Sequence, residues 1–526
     1  MFRPQESSMN AAAAVRVQPF ASILQPQPEE TVWPDQVPSC FHDLGLDQVV
    51  ATIVAAFPDD GLAPFFHAPL HDADAIVYRQ EVMRDLETAM LRHAVADFRQ
   101  RMRTVRERLA RMGKLVCKPE RERWFLDAVL GYCDAVVRLA QMFDNGRPAS
   151  RGLRALNGFL AAHIASPAFV RLATEARTLV VELSNIRYAL FIKGNSVTVR
   201  PYGGESDYSK TVAATFEKFH QEDSKDYRAT FRRMGGLNHV ETQILERVAL
   251  LHPAAFRKLE TFCAEHAQFQ DATLVRFDRE VPFYLAWLAY MDKHRQHGLA
   301  FCYPVLSATS KDMEVRDACD LALADRLVEA RQPVVRNGFS LHGGERLLVV
   351  TGPNQGGKTT FARMFGQLHH LARLGCPVPG TQARLFLCDR ILTHFEQRED
   401  IASLRGKLKD DLVRIRDILQ AATPDSIVIL NEIFSSTTLE DASYLSRQVM
   451  ATLSARDIVA VCVTFLAELS AFDAKTVSMV GLVDPQDPAL RTYRVERRTA
   501  DGLAHAQAIA RKHHVTGEWL RRRIAA

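Results

Sequence analysis

Lys358-Thr359-Thr360 follows Gly352-Pro353-Asn354-Gln355-Gly356-Gly357 in the last third of the chain. Gly, four residues, then Gly-Lys-Thr is the spacing of a loop that wraps phosphate oxygens in backbone N–H groups. The glycines allow the turn and keep Cβ atoms from between main chain and ligand. Lys358 is then placed to reach the β- and γ-phosphates, and the Thr359 hydroxyl is placed for Mg2+. The nucleotide-binding set read from this pattern is Gly352, Pro353, Asn354, Gln355, Gly356, Gly357, Lys358, Thr359 and Thr360. Leu347 to Val350, just before the loop, reads as a buried strand. Phe361, Met364, Phe365 and Leu368, just after it, recur at helical spacing. Strand, loop and helix therefore stand in the order this chemistry needs, and the helix N-terminus adds a favourable dipole. The implied ligand is a nucleoside triphosphate with Mg2+.

A phosphate loop works with a second polar strand end. Ser426-Ile427-Val428-Ile429-Leu430-Asn431-Glu432 offers one. Four apolar residues read as a buried strand, and a polar pair leaves its C-terminal end, the edge at which open parallel sheets hold ligands. Glu432 is the candidate for orienting and polarising an attacking water, and Lys358 for stabilising the phosphoryl charge. Asn431 stands where an Asp usually helps hold the Mg2+ hydration shell. It keeps an oxygen acceptor and loses the charge, so affinity for a hard cation is expected to drop.

These residues need a sheet to hold them, and from about Arg331 onward strands alternate with helices, the pattern of a mainly parallel α/β sheet. Residues 331–526 are therefore expected to form a P-loop ATPase domain. Upstream the periodicity is helical. Residues 1–38 are rich in Pro, Gln, Ala and Glu and are expected to form a flexible or loosely docked arm. Residues 39–185 read as a helical bundle, with Leu46, Val49, Ile53 and Val54 as one of its stripes. Within 186–282, Tyr188 to Arg200 reads as a hairpin turning at Gly194-Asn195, followed by long, partly solvated helices. Residues 283–330 read as helices returning to a buried setting.

The 526 residues exceed one ordinary core, so the fold class expected is multidomain. A net charge of +4 permits local phosphate-binding patches without arguing for them. None of the nine cysteines forms a C-x-x-C pair, so buried free thiols in a reducing compartment are expected. No basic-plus-apolar leader opens the sequence and no apolar run is long enough to span a bilayer, so the expected location is cytoplasmic. No internal repeat is visible.

Thr351 to Thr360 resembles the nucleotide loop of the DNA mismatch repair MutS family, in which Thr-Gly-Pro-Asn precedes Gly-Gly-Lys. Gly375-Cys376-Pro377-Val378-Pro379, Asp389-Arg390-Ile391-Leu392-Thr393, Leu430 to Thr438 and Val463 to Leu469 resemble further segments of that family, in the same order. Together they cover about Arg331 to His514. The resemblance implies an ABC-type ATPase fold that dimerises head to tail, sandwiching each nucleotide between one subunit's loop and the other's signature segment. It also implies a helical lever (39–185, returning at 283–330) and a clamp-like region (186–282) that crosses or encircles DNA. The function implied is that of a DNA-binding ATPase of DNA repair or recombination, a homodimer clamping duplex, mismatched or branched DNA. A nucleotide-gated binding module with little turnover, or an ATPase scaffold for a protein partner, are the alternatives.

Four departures shape that expectation. The helical region begins within about 45 residues of Met1, leaving no space for the family's Phe-x-Glu mismatch wedge domain. Asn431 replaces the acidic metal-shell residue. Phe465 replaces the histidine that would sense the γ-phosphate and can neither donate nor accept a proton. Ser403-Leu404-Arg405-Gly406-Lys407 keeps only part of the family's trans signature; Lys407 reads either as a phosphate contact in trans or as a solvated lysine. These changes weaken hydrolysis more than binding, so slow turnover is expected.

Candidate DNA contacts are Lys218, Lys225, Arg228, Arg232 and Arg233, interleaved with Phe216, Phe219, Tyr227 and Phe231. They read equally as a phosphate-neutralising surface or an amphipathic helix burying its aromatics. The run from Arg101 to Arg123 is diluted by Glu107, Glu120 and Glu122 and reads as a solvated bundle face. Arg511, Lys512 and Arg521 to Arg523 form either a further phosphate patch or a soluble tail. His513 and His514 are adjacent, which suits no zinc site on a helix.

Overall fold

The computed structural model describes residues 20–27, 36–205, 208–217, 237–396, 406–484, 486, 490–500 and 523. The chain divides into two compact units, each discontinuous in sequence. One takes Met1–Phe20, Ala89–Pro148 and Leu153–Asp278; the other takes Ala21–Thr88, Ala149–Gly152 and Arg279–Ala526.

The first unit is built on long helices. Ala89–Met112 buries Leu91, Ala94, Val95, Phe98, Met102 and Val105, a three-and-four-residue stripe, against Lys118–Gly146. The second of these buries Phe125, Val129, Tyr132, Val136, Leu139 and Phe143. The basic run here is ion-paired. Arg101 meets Asp97 at 2.8 Å, Arg103 meets Glu107 at 3.2 Å, Arg123 meets Asp127 at 2.9 Å, and Arg106 pairs with Asp278. That is the solvated face expected from its composition. The hairpin forms as expected. Tyr188–Lys193 pairs antiparallel with Ser196–Pro201, and Gly194 supplies the positive φ of 58° at the turn. Helix His239–Leu251 begins on a capping box: Glu241 N donates to Asn238 Oδ1 and Asn238 N donates to Glu241 Oε2, both at 2.9 Å.

The second unit holds a six-stranded sheet: β1 (Leu347–Thr351), β2 (Ile391–Phe395), β3 (Ile427–Asn431), β4 (Val459–Val463), β5 (Thr476–Val483) and β6 (Arg491–Arg497). The spatial order is β2-β3-β4-β1-β5-β6. The first five run parallel, and β6 returns antiparallel beside β5. Every residue of β1, β3 and β4 is buried, which is why they read as unbroken apolar runs. Helices α1 (Lys358–Arg373), α2 (Lys407–Ala421) and α3 (Leu439–Ala455) accompany the sheet. Leu347, Val349, Val428, Leu430 and Ala460 pack with Ile415 of α2 and with Val449, Met450 and Leu453 of α3, while α1 contacts β3 and β4.

Helix α1 is buried along almost its whole length, because upstream segments of the same unit wrap it. Gln367 Nε2 donates to Leu44 O (2.8 Å) and Asp320 Oδ1 (2.7 Å), and Arg363 Nε donates to Asp43 O (3.0 Å). The helices between Cys40 and Glu87 thus belong to the same compact unit as the sheet, which divides the expected 39–185 region after Thr88.

Two expectations need correction. Residues 283–330 are not helical throughout. Helix Ala272–Arg295 is followed by strands at Phe301–Cys302, Val305–Ser307 and Met313–Ala318 before helix Leu321–Glu329. Those at 305–307 and 313–318 belong to a four-stranded sheet whose other members are Gln382–Phe386 and Asn337–Leu341. A strand of three to six residues whose partners lie up to 80 residues away has little local signature. The second concerns the N-terminal arm: residues 21–24 are not loosely held, since Ile23 and Leu24 are buried.

Candidate nucleotide site

The loop leaves the C-terminal end of β1 and re-enters helix at Lys358, the first residue of α1. Gly352 takes φ +125°, and a Cβ there would lie 2.9 Å from Gly481 O and 3.0 Å from Gly481 N on β5. Only a glycine lets the loop pass that close to the neighbouring strand. Gly357 turns the chain into the helix at φ +93°. Gln355, between them, holds φ +60° without being a glycine.

Lys358 is folded back into this loop and is 4% exposed. Its Nζ donates to Gly352 O (3.0 Å), Pro353 O (3.4 Å) and Asn354 Oδ1 (3.2 Å), and lies 3.7 Å from Glu432 Oε1. Burial pushes its pKa below the ordinary lysine value, and the Glu432 carboxylate opposes that shift. The ammonium is thus held by neutral carbonyls in a place where a phosphate would bind it better.

The second strand end arrives where the sequence places it. Asn431 closes β3 and is buried. Its Oδ1 accepts the Thr359 hydroxyl at 3.0 Å. Glu432 follows at φ +53° and donates its own N–H to Val463 O at 2.9 Å. That bend directs the carboxylate toward Lys358 rather than along the strand. Thr359 and Asn431 present adjacent neutral oxygens, with the Glu432 carboxylate nearby. This donor set suits a hard cation carried in by a triphosphate. Thr464, past the end of β4, donates its N–H to Val350 O at 3.1 Å. Phe465 is 47% exposed.

Residues 348–491 match the family model MutS domain V. The match supports a MutS-family protein. Domain V is the ATPase domain of that family, and the match runs from β1 to the first residue of β6, taking in the phosphate loop, α1, Asn431, Glu432 and Phe465. No helix among the described residues is long and apolar enough to cross a membrane.

Other expected residues stand differently. Lys218, Lys225, Arg228, Arg232 and Arg233 lie outside the described residues, as do Ser403 to Arg405, Arg511, Lys512, His513, His514, Arg521 and Arg522. Gly406 is exposed, and Lys407 is the first residue of α2. Two contributors carry no signal in the sequence. Arg491 on β6 donates through Nε to Asn354 O at 3.3 Å, and its charge acts on Lys358 in the direction of a lower pKa. Gly481 gives Gly352 its space. Neither belongs to a motif, because both come to the loop through the pairing of β5 with β1 and β6. All nine cysteines are free, and seven of them are buried.

Proposed function

We propose that this MutS-family chain is a DNA-binding ATPase that uses ATP to set the grip of its helical region on duplex, mismatched or branched DNA. The observation that carries the proposal is the convergence of Lys358, Thr359, Asn431 and Glu432 at one edge of a parallel sheet. In this reading the loop N–H groups from Gly352 to Thr360 bind the phosphates. Lys358 exchanges its carbonyl partners for the β/γ-phosphate oxygens. Glu432, no longer held by Lys358 alone, orients the attacking water. The Thr359 hydroxyl and Asn431 amide oxygen would hold Mg2+, directly and through its water shell. When bound, the ion neutralises charge on the phosphate oxygens. Arg491 adds a second cation beside the loop. A head-to-tail homodimer would complete each site with the segment that leads into α2.

The DNA would be gripped through phosphates and shape, since no base-reading module is evident among the described residues. Affinity for homoduplex, mismatched and branched DNA at physiological salt, with and without ATP-Mg2+, tests the proposal. Salt-dependent binding that changes with ATP is expected. Intact ATP binding with no salt-dependent affinity for any of the three DNAs would rule it out and point to a protein target.

Asn431 and the exposed Phe465 favour a second reading, in which ATP is a conformational ligand turned over slowly. Its leverage is then limited by the difference in its affinity for two states of the protein. Single-turnover hydrolysis compared with nucleotide release separates the readings.

A further inference from the structure

Residues 21–24 run through the second unit outside any helix or strand, and side chains hold five of their main-chain N–H and C=O groups. The Tyr78 hydroxyl donates to Ser22 O at 2.7 Å, the Tyr284 hydroxyl to Ile23 O at 2.5 Å, and Arg79 Nε to Leu24 O at 2.8 Å. Glu280 accepts the Ile23 N–H at 3.0 Å and the Ser22 hydroxyl at 2.8 and 2.9 Å. Leu24 N donates to Ser22 Oγ at 2.9 Å. Ile23 is 0% exposed and Leu24 1%. Tyr78 and Arg79 come from helix Ala73–Glu87, Glu280 and Tyr284 from helix Ala272–Arg295.

Connecting segments normally satisfy their carbonyls with water or with neighbouring backbone. Three successive carbonyls, each met by a different side chain from two helices distant in sequence, is the pattern of a bound peptide in its receptor. Without the segment, the Tyr78 and Tyr284 hydroxyls and Arg79 Nε would lose the carbonyl partners that they hold here, a loss that folded proteins avoid. Arg79 also donates through Nη1 to Leu374 O at 3.2 Å, the residue that ends α1. Gly375 packs so tightly on it that a Cβ there would lie 2.6 Å from Arg79 Cβ. The slot therefore abuts the far end of the helix that begins at Lys358.

We propose that this slot is a peptide-binding site whose resident occupant is the chain's own Ser22-Ile23-Leu24. It selects a small hydroxyl residue followed by two branched aliphatic residues, read by Glu280, Tyr78, Tyr284 and Arg79. The proposal is independent of whether the ATPase acts on DNA.

The test uses the full chain. Ile23→Asp puts a carboxylate where no water reaches and expels the resident segment. A fluorescent synthetic peptide spanning residues 18–28 is then titrated into the wild-type and Ile23→Asp chains, with binding followed by anisotropy. The variant is expected to bind the peptide at least ~20-fold more tightly than the wild type, whose slot is filled, and to ignore a peptide carrying Asp at position 23. A folded variant, with native far-ultraviolet circular dichroism and a cooperative melt, that binds the peptide no better than the wild type overturns the proposal. Should Ile23→Asp fail to fold, Tyr284→Phe removes only one hydroxyl. Amide exchange in residues 20–27 should then quicken by about 10-fold while the rest of the chain is unchanged. Unchanged exchange in that segment, or a uniform rise across the chain, overturns it equally.

Discussion

The two rims of the six-stranded sheet are built on opposite principles. At the N-terminal rim, Arg346, Asp457 and Lys475 stand just before β1, β4 and β5. Asp457 Oδ1 lies 3.0 Å from Arg346 Nε and 3.1 Å from Lys475 Nζ, and Oδ2 lies 3.1 Å from Lys311 Nζ. Lys311 also donates to Pro424 O and Asp457 O. Burial alone would raise the Asp457 pKa, but hydrogen bonds from Lys311, Lys475 and Arg346 outweigh it and hold the carboxyl at about 2. At the C-terminal rim, Gln355, Glu432 and Phe434 hold positive φ angles, and Lys358 is buried against carbonyls with its pKa depressed. One rim satisfies its charges within the fold. The other holds a charge in an arrangement that a ligand would improve, and positive φ occurs on both rims, at Asp457 (φ 55°) as at Gln355.

Substituting Lys358 should separate the rims most sharply. Lys358→Ala is expected to lower nucleotide affinity and turnover by at least ~100-fold, the scale of losing a charge-stabilising donor. The nucleotide-free variant should melt at or above the wild-type temperature. The sign follows from linkage: a lysine with a depressed folded pKa binds fewer protons folded than unfolded between that pKa and its ordinary value. Stability then rises with pH across that window, and at neutral pH the charged form costs stability. Fluorescent-nucleotide titration and thermal melts measure both effects. A large fall in melting temperature would show that Lys358 is structural cement like its counterparts on the opposite rim.

Asn431→Asp probes the same rim with a smaller expected effect. The Thr359 bond should survive, because either side chain offers an oxygen acceptor. The added charge should tighten Mg2+ binding and raise turnover by about 10-fold. A steady-state ATPase assay over a Mg2+ titration reads both. No gain at any Mg2+ concentration would mean that the missing carboxylate is not what limits this site.

Much of this rim is legible in the amino-acid sequence. The loop is contiguous, and Asn431-Glu432 ends an apolar run, so both carry their context within ten residues. Arg491 and Gly481 are not legible there. They reach the loop through strand pairings that bridge more than 120 residues, and neither stands in a pattern of its own. The same reason hides the strands between Phe301 and Ala318 and the seat of Ile23: periodicity reports the face an element buries, not the distant partner that receives it. The ion cluster around Asp457 is equally silent, because its four charges come from residues far apart in the chain.

On the N-terminal rim, Asp457→Asn should lower stability by about 1–2 kcal/mol, the scale of several charge-assisted bonds at a half-exposed site discounted for solvent screening. ATP turnover should stay within about two-fold of wild type. The loss should depend on pH. Asp457 has an ordinary value of 3.8 and a folded value of about 2. Its contribution is therefore complete above the ordinary value and vanishes as pH falls through the folded one. Denaturant melts at pH 6 and pH 3 should show the wild-type advantage shrinking at the lower pH. An advantage that stays constant would assign it to packing rather than charge.

The smallest effect concerns Gln355. Its φ of +60° is one that side chains with a Cβ adopt at a cost of about 1 kcal/mol. Gly would remove that cost in the folded state, but it would also widen the unfolded ensemble by a comparable amount. The net change in stability of Gln355→Gly is therefore expected to lie within about 0.5 kcal/mol of zero. Nucleotide affinity is the more telling readout. A loop held in its turned form before the ligand arrives binds without an ordering cost, whereas a glycine there must be ordered on binding. Isothermal titration should show affinity weakened by about two- to three-fold, with a more unfavourable binding entropy. An unchanged affinity would mean that Gly352, Gly357 and the contact with Gly481 already set the loop, and that the strain at Gln355 is incidental to the contrast between the rims.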